Sequence, residues 1–575
     1  MFMVKYEVIS SYPHLRLIVS RMTFQELSVI DMNSKRTRHH AGLRVFGLVA
    51  PCLAILLLFT TQAIAEAPGT STISAAQMKD YLTFIASDEM EGRNTPSRGL
   101  DTTAKFIAVM LERWGVKPAG DDGTYFQKIS LSATRVVPES SSASVNGKPL
   151  KYGDDFTVMS TSSTGSATGS MVYGGDGWMV KARNSDALKG LDVKGKIVVV
   201  YLAQRGPGAL NGASGQDYAD PISNAKSKGA AGVVYVTSST FNSNGFQGRG
   251  GNQPRYSVDR FSSGSAEAAL PAIMLRPDAA SALFAGEKME WADVAKAASS
   301  GTPPAGFEMK PDKRFTFAAT VDTLRATSQN VVGVIEGSDP VMKKEYVGLS
   351  AHYDHIGMTD TPVNGDRIYN GADDDGSGTT AVLAIAEAFS HASKRPKRSM
   401  IFIWHMGEEK GLWGSRYFTM FPEVPLKQVT SLINIDMIGR SKADGDTIPA
   451  NRNLTGPNGI YVIGSTMMST ELDKLTRRVN DKYLKLNYDF KYDDPKDTNR
   501  FFYRSDHINY ARQGIPILFF FDGVHEDYHR LGDEVSKIDF NKMERVSRTI
   551  YQTLWELASL KERPAVDKPK PAQLQ

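Results

Sequence analysis

From Gln329 onward the chain alternates strand-length apolar runs with helix-length segments. That alternation commits this part to an α/β sheet covered by helices on both faces. The runs lie at 330–335, 346–350, 400–404, 431–435, 460–463 and 515–521, and the helices are expected at 379–389, 412–421, 471–483 and 540–560. Upstream, 74–118 is helical in pattern, with Met78, Tyr81, Leu82 and Ile85, then Ala104, Ile107, Ala108, Leu111 and Trp114, at three- and four-residue steps, and Gly115 closing the second helix. Between 132 and 310 the texture turns to Ser, Gly and Thr with short β-branched runs and long loops, as at 242–251. Strands are expected there at 190–201, 233–236 and 270–275, with a short helix ending at Gly229.

At 575 residues the chain exceeds what one core can organise. The expected divisions are 1–65 as a signal peptide or anchor, 66–135 as the N-terminal helical part of the main domain, 136–310 as a β-rich insert, 311–562 as the α/β domain and 563–575 as a disordered tail. Residues 1–65 hold seven Lys or Arg and three Asp or Glu, so they account for the whole formal charge of +4 and leave the remainder balanced. A balanced body carries no nucleic-acid signature.

Lys35, Arg36, Arg38 and Arg44 precede an uncharged run, 45–65, ending Ala63-Ile64-Ala65. This is the pattern of a secretory signal, cut after Ala65, or of an uncleaved anchor. Either places the body of the protein outside the cytoplasm, periplasmic or secreted, with membrane contact only if the segment is retained. The single cysteine, Cys52, lies in that run, so the exported body has no disulfides.

Seven of the ten histidines fall between 352 and 529, and five motifs fall with them: Ala-His-Tyr-Asp-His from 351, Gly-Ala-Asp-Asp-Asp-Gly-Ser-Gly from 371, Gly-Glu-Glu from 407, Ile-Asp-Met from 435 and Asp-Tyr-His from 527. His352, Glu408 with Glu409, Asp436 and His529 each follow a predicted strand, where open α/β sheets place their ligands. Asp374 precedes a helix, whose first amides are free to donate. Residues two apart on extended backbone face one way, so Asp354 can accept the second ring N–H of His352. Adjacent Glu408 and Glu409 diverge, one suited to hold metal and the other to act as a base. Asp374 is the candidate bridge between two metals, with Asp373 as the next choice. Asp373 and Asp375 otherwise read as loop-capping groups. His405 reads as core, His391 as helix surface, and His507 and His525 as neighbours of the site, His525 being the alternative to His529.

These motifs, with Leu-Thr-Phe-Ile-Ala-Ser-Asp-Glu-Met-Glu-Gly-Arg at 82–93, resemble the co-catalytic di-zinc exopeptidases, a family that includes secreted aminopeptidases, glutamate carboxypeptidases and the non-catalytic transferrin receptor. Lys-Gly-Lys-Ile-Val, Gly-Ala-Ala-Gly-Val-Val and Leu-Pro-Ala-Ile inside 136–310 resemble the protease-associated domain. The resemblance implies a mixed, largely parallel sheet. It also implies two Zn2+ ions, one held by His352, Asp374 and Asp436 and the other by Asp374, Glu409 and His529. Glu408 would be the general base, Asp354 the carboxylate behind His352, and Tyr528 the oxyanion donor. The implied activity is hydrolysis of peptides, by an aminopeptidase. A carboxypeptidase is the alternative, which Arg500 and Arg504 leave open, and a glutaminyl cyclase or a binding protein stands further off. The pattern sets no oligomeric state.

Overall fold

Strands buried on both faces must be apolar at nearly every position, and Ser399–His405 and Val429–Ile435 are buried along their whole length. In the first of these, Met400, Phe402 and Trp404 join one hydrophobic core while Ile401 and Ile403 join another on the opposite face, the two-residue alternation of a pleated strand. The computed structural model describes residues 64–181, 184–202, 218–237, 254–261, 269–300 and 304–569. The signal-like run falls almost wholly outside them, and no described helix is long and apolar enough to cross a membrane.

Among the described residues the main sheet has ten strands. Its centre is parallel: Ser399–His405 and Val429–Ile435 flank Tyr346–His352, and Ile517–Phe521 follows Val429–Ile435. The flanks are antiparallel, through Val321–Ile335 on one side and Gly459–Ile463 on the other. The sheet is therefore mixed as expected, with the parallel pairing confined chiefly to the four strands that carry the site. Helices Ala75–Ile85, Gly378–His391 and Phe540–Ser559 pack on one face, and Trp413–Met420 and His507–Arg512 on the other.

The insert builds its own six-stranded sheet. At its middle Met171–Tyr173, Ile197–Tyr201, Gly232–Val236 and Ala272–Leu275 run parallel. A four-stranded antiparallel sheet lies alongside it in sequence. The insert is not cut cleanly from the main domain. Arg255–Val258 pairs with Phe126–Val136 at the edge of the main sheet, so a short strand within 136–310 belongs to the neighbouring sheet. The expected tail is also partly ordered. Asp567 accepts from the amide of Thr470, the first residue of helix Thr470–Lys482, at 2.8 Å and its own amide reaches the Met468 carbonyl. A carboxylate at a helix N-terminus is favourably placed.

Candidate metal centre

Because the four central strands are parallel, their carboxyl ends share one edge of the sheet. His352 closes its strand, Glu408 and Glu409 follow Ser399–His405 by three and four residues, Asp436 follows Val429–Ile435 directly, and His529 lies beyond Ile517–Phe521. Asp374 comes from the turn Ala372–Ser377, which leads into helix Gly378–His391.

The carboxylate of Asp374 stands between two sets of donors. Its Oδ1 is 3.4 Å from His352 Nε2, which is 3.6 Å from Asp436 Oδ1. Its Oδ2 is 3.1 Å from His529 Nε2, which is 3.0 Å from Glu409 Oε1. Two donors each ~2.0–2.1 Å from one tetrahedral zinc ion stand about 3.3 Å apart, so the spacing suits ligands that share an ion. Asp374 Oδ2 and Glu409 Oε1 are buried and have no hydrogen-bond partner among the described residues. Nitrogen and oxygen atoms that converge without hydrogen bonding, from imidazoles and carboxylates, fit a borderline divalent cation such as zinc.

The sequence reading gave no role to His355. Its Nδ1 lies 3.0 Å from Glu409 Oε1, neither ring nitrogen has a hydrogen-bond partner, and it forms a compact potential ligand group with Asp374 and Glu409. The signal was in the same Ala-His-Tyr-Asp-His motif, three residues beyond His352. Asp354 also differs from expectation. His352 Nδ1 is 3.1 Å from the Asp354 main-chain carbonyl and 3.7 Å from its carboxylate. That carboxylate accepts the Glu408 amide at 3.0 Å instead, Asp354 lying two residues beyond the end of strand Tyr346–His352. Asp354 thus ties the His352 turn to the Glu408 turn.

Charged groups behind these residues hold the turns in place. Asp375 accepts from the amides of His352, Gly378 and Met437, joining three segments. Asp533 accepts from the amides of Asp373 and Asp374, and burial above all pushes it up to about 6. Asp373 accepts the Gly439 amide at 2.7 Å and faces His525 Nε2 at 3.3 Å, which sets both behind the ligand turn rather than in the cluster around Asp374. Arg93, fully buried, donates to the carbonyls of Ile85, Tyr353, Asn370 and Gly371. Gly371, with φ +58°, admits no side chain, since a Cβ there would lie 2.5 Å from the His355 ring.

Burial disfavours a charged His529, yet Asp374 and Glu409 outweigh it and push the imidazole up to about 10. Burial would likewise raise Asp374, but His352, His529 and His355 hold it well below the ordinary range. Glu408 behaves oppositely: burial, joined by Asp436, Glu409 and Asp506 against the pull of His352, lifts its carboxyl well above the usual value. His405 is fully buried against Phe418 and Tyr510, and His391 is exposed at a helix end. His507 stacks on Phe519.

A narrow, half-open cavity lies beside the cluster. It is lined by the carboxylates of Asp374, Glu408 and Asp436, by the apolar Met437, Phe501, Phe519, Phe521 and Val524, and by Tyr528 and Arg504. Tyr528 stacks on the His529 ring at 4.0 Å.

Residues 330–554 match the model of Peptidase family M28, and residues 167–283 that of the PA domain. Both resemblances drawn from the sequence are thereby met. The chain is 28% identical over 278 residues to a "Probable zinc metalloprotease" of Pyrenophora tritici-repentis, covering 44% of this chain and 60% of that protein. It is 25% identical over 252 residues to a "Probable leucine aminopeptidase" of Arthroderma benhamiae, covering 40% and 64%. The chain thus spans less than two thirds of either relative. Among solved structures, an aminopeptidase from Aneurinibacillus sp. strain AM-1 aligns with 87% of this chain and 96% of its own, at 17% identity and a TM-score of 0.49.

Proposed function

We propose that the protein is an exported di-zinc metallo-aminopeptidase that releases N-terminal residues from peptides. The observation that carries this reading is the Asp374 carboxylate, with one oxygen toward His352 and Asp436 and the other toward His529 and Glu409. On this reading the first ion is held by His352, Asp374 and Asp436, and the second by Asp374, Glu409 and His529, with His355 at hand. Bound there, two zinc ions would supply polarisation of the scissile carbonyl and acidification of a water. Glu408, raised by burial, receives that water's proton and returns it to the leaving amine. Tyr528 stands at the cavity to donate to the developing oxyanion, and Asp354 fixes the Glu408 turn through its amide. The carboxylates that line the cavity suit a free α-ammonium group. Export rests on the N-terminal charge and apolar pattern.

Arg504 in the cavity favours a second reading, a carboxypeptidase whose substrate offers its α-carboxylate. One experiment separates the two: zinc-loaded protein and chelated protein receive a peptide free at both ends, an N-acetylated one and a C-amidated one. Zinc-dependent cleavage of the free and amidated peptides alone is expected. Cleavage of the acetylated peptide overturns the aminopeptidase reading, and no cleavage overturns the enzyme. Glu408→Gln should keep zinc and fold while losing about 10²–10⁴ in rate.

A further inference from the structure

The cavity lining is of three chemical kinds. Asp374, Glu408 and Asp436 supply carboxylates, five side chains are apolar, and Arg504 and Tyr528 complete the lining. Four of the apolar groups, Met437, Phe501, Phe519 and Phe521, are at most 8% exposed, so the wall is rigid core rather than mobile surface. Arg504 lies over the Phe501 ring, with Cζ 5.0 Å from its centroid.

Arg504 is exposed and lines the cavity, whereas several other cations near the site are committed elsewhere. Arg440 pairs with Asp527, Lys537 pairs with Asp527, and Arg93 is consumed by carbonyls. Among the described residues Arg504 has no ion pair and no side-chain hydrogen bond, and it lines the same cavity as three carboxylates. A pocket built only for leucine-like side chains has no use for an arginine. A pocket for lysine would be opposed by one.

We propose that Arg504 selects substrates whose N-terminal residue carries an acidic side chain, glutamate above all. The α-ammonium group meets Glu408 and Asp436, the side-chain methylenes lie along Phe501 and Phe519, and the terminal carboxylate pairs with the Arg504 fork. The inference rests on the aminopeptidase reading and narrows it to one substrate class.

The test compares Glu-, Leu- and Lys-initiated dipeptides on the zinc-loaded wild type and on Arg504→Gln, Arg504→Lys and Arg504→Glu. Free glutamate and leucine are also titrated calorimetrically into wild type and Arg504→Gln. A charge-assisted contact made by an exposed guanidinium predicts that Arg504→Gln lowers the Glu-to-Leu ratio of kcat/KM by up to about fivefold. Arg504→Lys should restore part of it, and Arg504→Glu should move preference toward Lys. Glutamate affinity should fall in Arg504→Gln while leucine affinity holds. A Glu-to-Leu ratio unchanged within twofold overturns the inference while leaving the aminopeptidase reading standing. If no dipeptide is cleaved, that reading fails, and the titration then decides: equal glutamate affinity in wild type and variant overturns the role of Arg504. Cleavage of N-acetylated glutamyl peptides through Arg504 overturns it too, by making the bound group an α-carboxylate.

Discussion

Arg93→Met replaces a fully buried guanidinium with an apolar chain of similar length, and its consequences follow from where the four acceptors lie. Ile85 ends helix Ala75–Ile85, Tyr353 sits between His352 and Asp354, and Asn370 and Gly371 lead into the turn bearing Asp374. Burial lowers Arg93 to about 10, with Asp354, Asp533, Asp374 and Asp375 working against it, so the group is still charged at neutral pH. Hydrogen bonds to a charged group contribute about 1.5–3 kcal/mol each. Four cannot simply be added, because truncation also relieves the cost of keeping a charge out of water.

Breaking one partner out of such a buried network typically costs about 3–5 kcal/mol, and that is the expected loss of unfolding free energy in urea. Two of the four carbonyls, those of Tyr353 and Gly371, adjoin the candidate ligand segments, so zinc affinity measured by chelator competition should fall by about 10–100-fold. Arg93→Lys should lie between, since an ammonium has three donors and no planar fork. An Arg93→Met variant within about 1 kcal/mol of wild type, with unchanged zinc affinity, would refute the view that this side chain holds the two turns together.

Two further outcomes follow from the same kind of accounting. Asp375→Asn keeps the shape but turns one acceptor into a donor facing the amides of His352, Gly378 or Met437; a loss of about 1–3 kcal/mol is expected, and an unchanged urea midpoint would show the three bonds to be dispensable. His405 and His507 are both held down to about 3 by burial. Because the folded values are depressed, the stability tied to their neutral forms is complete above the unfolded value of about 6.5 and is lost as pH falls from there toward 3, by up to about 1.4 kcal/mol per pH unit for each. His405→Phe should flatten that acid limb by one proton, and an identical slope would contradict the assignment.

The sheet was legible because its strands are buried on both faces. Expected strands at 400–404 and 431–435 lie inside the observed Ser399–His405 and Val429–Ile435, and the helix expected at 540–560 is Phe540–Ser559. What periodicity could not show was pairing. The antiparallel flank formed by Phe126–Val136 and Val321–Ile335 joins segments about 190 residues apart, and the return of Arg255–Val258 to that flank crosses the insert. Such pairings depend on where connections run in space, not on the local pattern of either strand.

The site was legible to the extent that its side chains sit at strand ends, and the less legible part came from turns. A residue that closes a strand, such as His352, or directly follows one, such as Asp436, has its position fixed by the sheet, so sequence order alone brings the two to one edge. Asp354 and His355 lie just past that order. The paired strand has ended there, and the Asp354 carboxylate meets the Glu408 amide while the second histidine meets Glu409. Nothing in a two-residue alternation encodes that placement; it is imposed from outside by Arg93, which grips the Tyr353 carbonyl and accepts the His355 amide through its own carbonyl. Arg93 stands some 260 residues earlier in the chain, on backbone with φ +49°, a conformation that costs free energy and is retained where surrounding contacts over-determine it. The geometry of the candidate ligands is therefore set partly by a cation that contributes no ligand atom.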